Sequence, residues 1–301
     1  MMEERRGLAV GAAFGEAVFD LIRRTACDLP QDVEDAIRQA REKEKPASRA
    51  RDILSLYLDN IARAREKQLP LCQDTGLPIF VIRHPQGISQ RELAKACEEA
   101  TARATGVQYL RPNSVDPVSG MNSGNSVGPG SPVFYFEESD EKAISLSLIL
   151  KGGGSENVCS QYSLPDGALK AGRDLEGVRR VLLDSVRKAE GKGCAPGILG
   201  VCIGGDRSSG YNHSKHQLLR RLDDVNPDPK LAELEERVLR EGNLLGIGPL
   251  GLGGETTLLG VKIGALNRHP ACYFVTITYM CWECRRREIV FEADGTWRFI
   301  E

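Results

Sequence analysis

Leu71-Cys72-Gln73-Asp74-Thr75-Gly76-Leu77-Pro78 sets a thiol, an amide, a carboxylate and a hydroxyl in consecutive positions, then turns at Gly76 and Pro78. A thiolate can serve as nucleophile or metal ligand, and a carboxylate as general acid, base or orienter. The stretch lies between a charged helical pattern and the β-type run Ile79-Phe80-Val81-Ile82. Groups at such a junction are held by rigid elements while still reaching a cleft.

The chain has nine cysteines, at 27, 72, 97, 159, 194, 202, 272, 281 and 284, and only four histidines. The odd count, the 301-residue length and an N-terminus without a signal-peptide pattern argue against a disulfide framework. Metal ligation or buried thiols remain. Cys281-Trp282-Glu283-Cys284 is a lone C-x-x-C, with no second one to complete a zinc ribbon. Cys27, beside Leu-Pro, and Cys97, among alanines, read as small core hydrophobes. Cys72, Cys202 and Cys281 each lie near a strand end or turn beside polar or glycine-rich residues. Three thiolates on an iron–sulfur cluster leave one iron with an open position, but the residues alone favour scattered buried thiols.

Other polar groups stand in fixed loops. Arg111 opens Leu110-Arg111-Pro112-Asn113, where a guanidinium could grip a carboxylate or simply face water. Lys151-Gly152-Gly153-Gly154-Ser155-Glu156-Asn157 comes directly off a strand and suits close backbone approach, without the ending of a P-loop. Gly246-Ile247-Gly248-Pro249-Leu250-Gly251 satisfies G-x-G-x-x-G. It follows a helix and contains a proline, so the dinucleotide reading is rejected. His213 and His216 would share a solvated helix face.

The elements that must position these groups alternate along the chain. Helical periodicity covers most of residues 10–68, 89–104, 175–190 and 228–244, with a further helix starting near Ser208. Strands are expected at 79–83, 133–136, 143–150, 198–203, 273–280, 289–291 and 297–300. This is an α+β (mixed) fold of N-terminal helices and β-sheets flanked by helices. A single domain over 1–301 is expected, in which residues 1–68 are helical and residues 69–301 bind cluster and substrate. A net charge of −2, 41% hydrophobic residues and no long apolar run give no footprint for nucleic acid or membrane and suggest a cytoplasmic protein.

Cys72-Gln73-Asp74-Thr75-Gly76, Leu110-Arg111-Pro112-Asn113, Lys151-Gly152-Gly153-Gly154-Ser155-Glu156-Asn157, Cys202-Ile203-Gly204-Gly205-Asp206, Gly246-Ile247-Gly248-Pro249 and Cys281-Trp282 with Arg285-Arg286 occur in this order. Together, over about residues 10–292, they resemble the N-terminal domain, or α subunit, of the class I, iron–sulfur-dependent fumarate hydratases and the related L-tartrate dehydratases.

The resemblance implies a [4Fe–4S] cluster on Cys72, Cys202 and Cys281, with Cys284 a bystander. It implies substrate contacts from Gln73, Asp74, Arg111 and the backbone of Gly153 or Gly154. Asp74 becomes a candidate catalytic acid, and His269 matches a histidine before the third cysteine. Single-chain members of the family continue into a smaller C-terminal domain, whereas this chain stops at Glu301. The implied enzyme is an α subunit acting with a separate β subunit, as an α2β2 or similar assembly, on a small dicarboxylate. A zinc-holding structural protein using Cys281 and Cys284 is the alternative of a different class.

Overall fold

A computed structural model describes residues 11–300, so the N-terminal Met1–Arg6 segment lies outside the described residues. In chain order the elements are α1 (Ala12–Cys27), α2 (Gln31–Lys43), α3 (Arg49–Lys67), β1 (Leu77–Pro85), α4 (Gln90–Gly106), β2 (Val133–Ser139), β3 (Ile144–Lys151), α5 (Gly153–Asn157) and β4 (Ser160–Ser163). They continue as α6 (Leu175–Ala189), β5 (Gly197–Gly204), α7 (Arg207–Gln217), α8 (Pro229–Asn243), β6 (Leu258–Leu266), β7 (Phe274–Met280), β8 (Arg286–Phe291) and β9 (Trp297–Ile300). The mixed α and β class matches the sequence expectation.

Helix boundaries follow local chemistry. Ser89, Asp174, Asp206 and Asp228 each accept a bond from a first-turn N–H of the helix they precede. Ser48 likewise accepts from Arg51 N at the start of α3.

Where the sequence suggested one domain, the chain divides into two compact units, each built from separated stretches. The first takes the described residues up to Pro30, then Ile61–Lys151, then those from Arg285 onward; the second takes Gln31–Asn60 and Gly152–Cys284. α3 contributes residues to both units.

In the first unit a five-stranded sheet runs β2-β1-β3-β8-β9, with β1 and β2 parallel and the other neighbours antiparallel. Ile144, Leu146, Leu148 and Leu150 alternate along β3 and meet α1 and α4 through Phe14, Val18, Leu21, Leu93 and Cys97 in one core. Cys27 and Cys97 are buried there, and burial raises both thiol pKa values, Cys27 to about 11.

The second unit has a four-stranded sheet in the order β4-β7-β5-β6. β5 pairs with β6 in parallel and with β7 antiparallel. All eight residues of β5 are buried, as expected for a central strand covered on both faces. Val178, Val181 and Leu182 of α6 and Leu234 and Val238 of α8 share a core with Leu199, Val201 and Ile203. α7 covers the sheet at Gly200 and Gly264, where any added Cβ would strike Ser214 O or His213 Nε2. His213 is consequently half-buried, with burial lowering its pKa, and does not stand on the solvated face the sequence suggested.

Candidate functional site

The Cys72 turn belongs to the first unit. Gly76 has φ +81°, and a Cβ there would lie 2.7 Å from the Leu150 carbonyl carbon, so only glycine lets the turn enter β1 beside β3. Asp74 Oδ1 accepts from Gly76 N at 3.1 Å, and Asp74 O accepts from Arg285 Nη2 at 2.7 Å. Buried Thr75 ties this turn to the Arg111 loop, because its Oγ1 accepts from Arg111 N at 2.8 Å and from Asn113 Nδ2 at 3.3 Å. Ser126 Oγ donates to Arg111 O at 2.7 Å and braces the loop from its other side. A cleft of about 640 Å³ results, whose walls include Cys72, Gln73, Thr75 and Arg111. Two segments far apart in sequence thus present a thiol, an amide and a guanidinium to one cleft.

In the second unit the residues around Cys281 meet a cysteine that the motif reading passed over. Trp282 N donates to Cys194 O at 3.3 Å. The Cys194 loop is built tightly: a Cβ on Gly193 would lie 2.5 Å from the Tyr279 ring, and one on Gly197 2.1 Å from it. Cys194 itself holds φ +57°, a left-handed conformation that strains a residue with a Cβ. Tyr57 stacks on Trp282 with ring centroids 3.8 Å apart and planes at 7°. Burial, then Cys194, Glu283 and Cys281, raise the Tyr57 phenol pKa; burial, then Cys281 and Cys194, raise that of Tyr279. Both thiols therefore stand in one neighbourhood. Gly154 lies at its edge, where a Cβ would be 3.6 Å from Lys192 O.

Cys202 does not join them, which corrects the ligand set drawn from the sequence. The antiparallel register sets Ile198 against Met280 and Cys202 against Thr276. Cys281 follows Met280, so about 16 Å of strand separates it from the level of Cys202, too far for two corners of one cube. Cys202 is fully buried, and burial alone pushes its thiol pKa up to about 12. It is a core thiol.

His269 also stands apart within this unit. It follows β6, whose last residue Leu266 pairs with Gly204 at the end of β5 remote from Cys281. The His269 ring is exposed, accepts from Ala271 N at 3.1 Å and borders a cleft of about 470 Å³ with Asp206, Ser209 and Cys272. Cys284 is buried, as is Cys281.

Cys72, Cys194 and Cys281 do not form a ready-made ligand group, for no cluster of three or more His, Cys, Asp or Glu able to hold a metal ion stands among the described residues. Cys194 and Cys281 nevertheless stand on adjoining loops of one unit, and thiolates are the ligands that an iron–sulfur cluster takes. The signal for Cys194 was available in Gly193-Cys194-Ala195-Pro196, a cysteine in a glycine- and proline-bounded turn just before a strand, as at Cys72.

Comparison with known proteins identifies the setting. The family described as Fumarate hydratase (Fumerase) matches residues 15–290. A protein of Geobacillus stearothermophilus, provisionally named a class I fumarate hydratase, is 48% identical over 274 residues, which make up 90% of this chain and 53% of that protein. The chain thus spans about half the length of that relative. A Methanocaldococcus jannaschii protein, provisionally named an L(+)-tartrate dehydratase subunit alpha, is 36% identical over 90% of this chain and 95% of its own length. The L(+)-tartrate dehydratase subunit alpha of Escherichia coli K12 is 31% identical over 98% of this chain and 96% of its own. Both names denote hydro-lyases. With a match from residue 15 to residue 290, the chain belongs to the fumarate hydratase family, in the class I and tartrate dehydratase alpha branch.

Proposed function

We propose that this chain is the α subunit of a cytoplasmic, iron–sulfur-dependent hydro-lyase that reversibly hydrates fumarate to L-malate together with a separate β polypeptide. One observation carries the reading beyond the family match: the backbone bond between Trp282 and Cys194 that sets the Cys194 and Cys281 loops side by side. Cys72 enters as the third thiolate from the family resemblance of its Cys72-Gln73-Asp74-Thr75-Gly76 motif.

Cys72, Cys194 and Cys281 would hold a [4Fe–4S] cluster, which when bound supplies one iron with an open position, a Lewis acid toward substrate and water oxygens. The remaining work falls to the chain itself. Arg111 receives a substrate carboxylate through two parallel N–H donors, and Gln73 adds an amide on the same cleft. Asp74 is half-buried and oriented by Gly76 N, so its carboxyl is fixed to hold or release the proton at the substrate carbon. The backbone of Gly153 or Gly154 would add a substrate contact.

L(+)-tartrate dehydration is the second reading. The chain covers nearly the whole of the two tartrate dehydratase alpha relatives but half of the class I relative. The deciding experiment is anaerobic co-purification with the β polypeptide, then iron and labile-sulfide analysis and rates on L-malate and L-tartrate. Brown protein with iron, sulfide and faster turnover of malate is expected. Colourless, zinc-loaded protein would defeat the reading, and faster turnover of tartrate would transfer it to the second substrate.

A further inference from the structure

Tyr57 comes from α3, outside every motif above, yet it touches both cysteine loops of the second unit. Its ring lies flat on Trp282, the neighbour of Cys281, at 3.8 Å and 7°. Its hydroxyl donates to the carbonyl of Ala195, the neighbour of Cys194, at 3.4 Å. Trp282 N closes the circuit on Cys194 O at 3.3 Å, and Leu250 N gives Ala195 O a second donor at 2.9 Å. The tyrosine side chain is buried, while its neighbour on the helix, Leu56, is 64% exposed. One rigid aromatic ring thus spans the two loops at one residue's remove from each thiol. A buried ring kept only for packing has no need of both a coplanar stack and a hydroxyl bond.

We infer that Tyr57 is a positioning residue that sets the spacing of Cys194 and Cys281 and so governs how firmly the cluster is retained. The inference rests on the cluster reading above, but it concerns a residue outside the ligand set. Losing the ring frees Trp282 to rotate and lets the Cys281 loop drift from the Cys194 loop. Losing only the hydroxyl leaves the stack in place and releases one of the two bonds to Ala195 O.

The test uses the full chain reconstituted anaerobically with iron and sulfide, as wild type, Tyr57→Phe, Tyr57→Leu and Leu56→Ala. The rate of iron transfer to a chelator is measured at a temperature where circular dichroism shows each apo chain folded. Tyr57→Leu is expected to release iron about tenfold faster and Tyr57→Phe about two- to threefold faster, from the worth of an aromatic pair and of one hydrogen bond. Leu56→Ala should match wild type. Tyr57→Leu releasing iron at the wild-type rate overturns the inference. If Tyr57→Leu does not fold, Tyr57→Phe decides, and equality with Leu56→Ala overturns it.

A second readout needs no cluster. Dibromobimane, which fluoresces when it joins two neighbouring thiols, is applied to the apo chains, and the Cys194–Cys281 linked peptide is quantified. Wild type should form it several-fold more than Tyr57→Leu, and equal or absent linkage overturns the inference. A wild-type chain that takes up no iron and sulfide defeats the cluster reading, while the cross-link still judges Tyr57.

Discussion

Trp282 N donates to Cys194 O at 3.3 Å, and this one backbone bond joins the loop after β7 to the loop before β5. The two loops meet because β5 and β7 are antiparallel neighbours, so the start of one strand lies beside the end of the other. Cys194 precedes β5 and Cys202 lies toward its far end, so only the first is on the side of Cys281.

The two cysteines should therefore separate cleanly on mutation. Cys194→Ser is expected to lower bound iron and to cut the hydration rate more than about 100-fold, beyond what losing a residue behind a ligand costs. Cys202→Ala should keep both, at a stability cost of about 1 kcal/mol for a small trimmed core side chain. Iron analysis and chemical unfolding of the two purified variants check this, and the reverse pattern would restore Cys202 to the site.

Arg111 can be tested through the shape of its head group. Arg111→Lys keeps the charge but loses the fork, so KM for the dicarboxylate should rise by about tenfold or more with a smaller change in kcat. Steady-state kinetics of the complete enzyme give both constants. An unchanged KM would remove Arg111 from substrate binding.

Gly76 is a structural hinge of the Cys72 turn. Gly76→Ala drives a Cβ to 2.7 Å from Leu150 C at φ +81°, so a loss of about 2–4 kcal/mol is expected from strain and overpacking together. Urea unfolding at constant slope measures it. Gly87→Ala, at the same φ of +81° with nothing within 4 Å, should cost clearly less.

Acid sensitivity should trace to Glu176 among other groups. Its hydrogen bond with Arg179, opposed by desolvation and helped by Arg180, lowers its carboxyl pKa from 4.5 to about 2. A carboxylate whose pKa falls on folding adds stability that is present above its unfolded pKa and is lost as pH drops toward its folded one. The window here runs from about pH 4.5 down to about 2. Melting temperature between pH 6 and pH 3 should decline less steeply in Glu176→Gln than in wild type. The side chain is largely exposed, so the difference is small, on the order of a few tenths of a kcal/mol.

The sequence by itself determined what depends on near neighbours. Caps at Ser89, Asp174 and Asp228 set helix starts through bonds to N–H groups two or three residues on. Alternation of Ile144, Leu146 and Leu148 declared a strand, and Gly76 followed by Pro78 declared the turn that carries Cys72. Motif order was enough to reach the fumarate hydratase family. Tertiary structure alone decided which thiols share a neighbourhood. Cys194 and Cys202 are both small apolar-tolerant residues near β-type sequence, and nothing local tells which end of β5 faces the end of β7. That is set by strand order and register, which sum contacts over distant segments. The same holds for Tyr57, whose role as the plate under Trp282 comes from where α3 packs and not from any pattern around it.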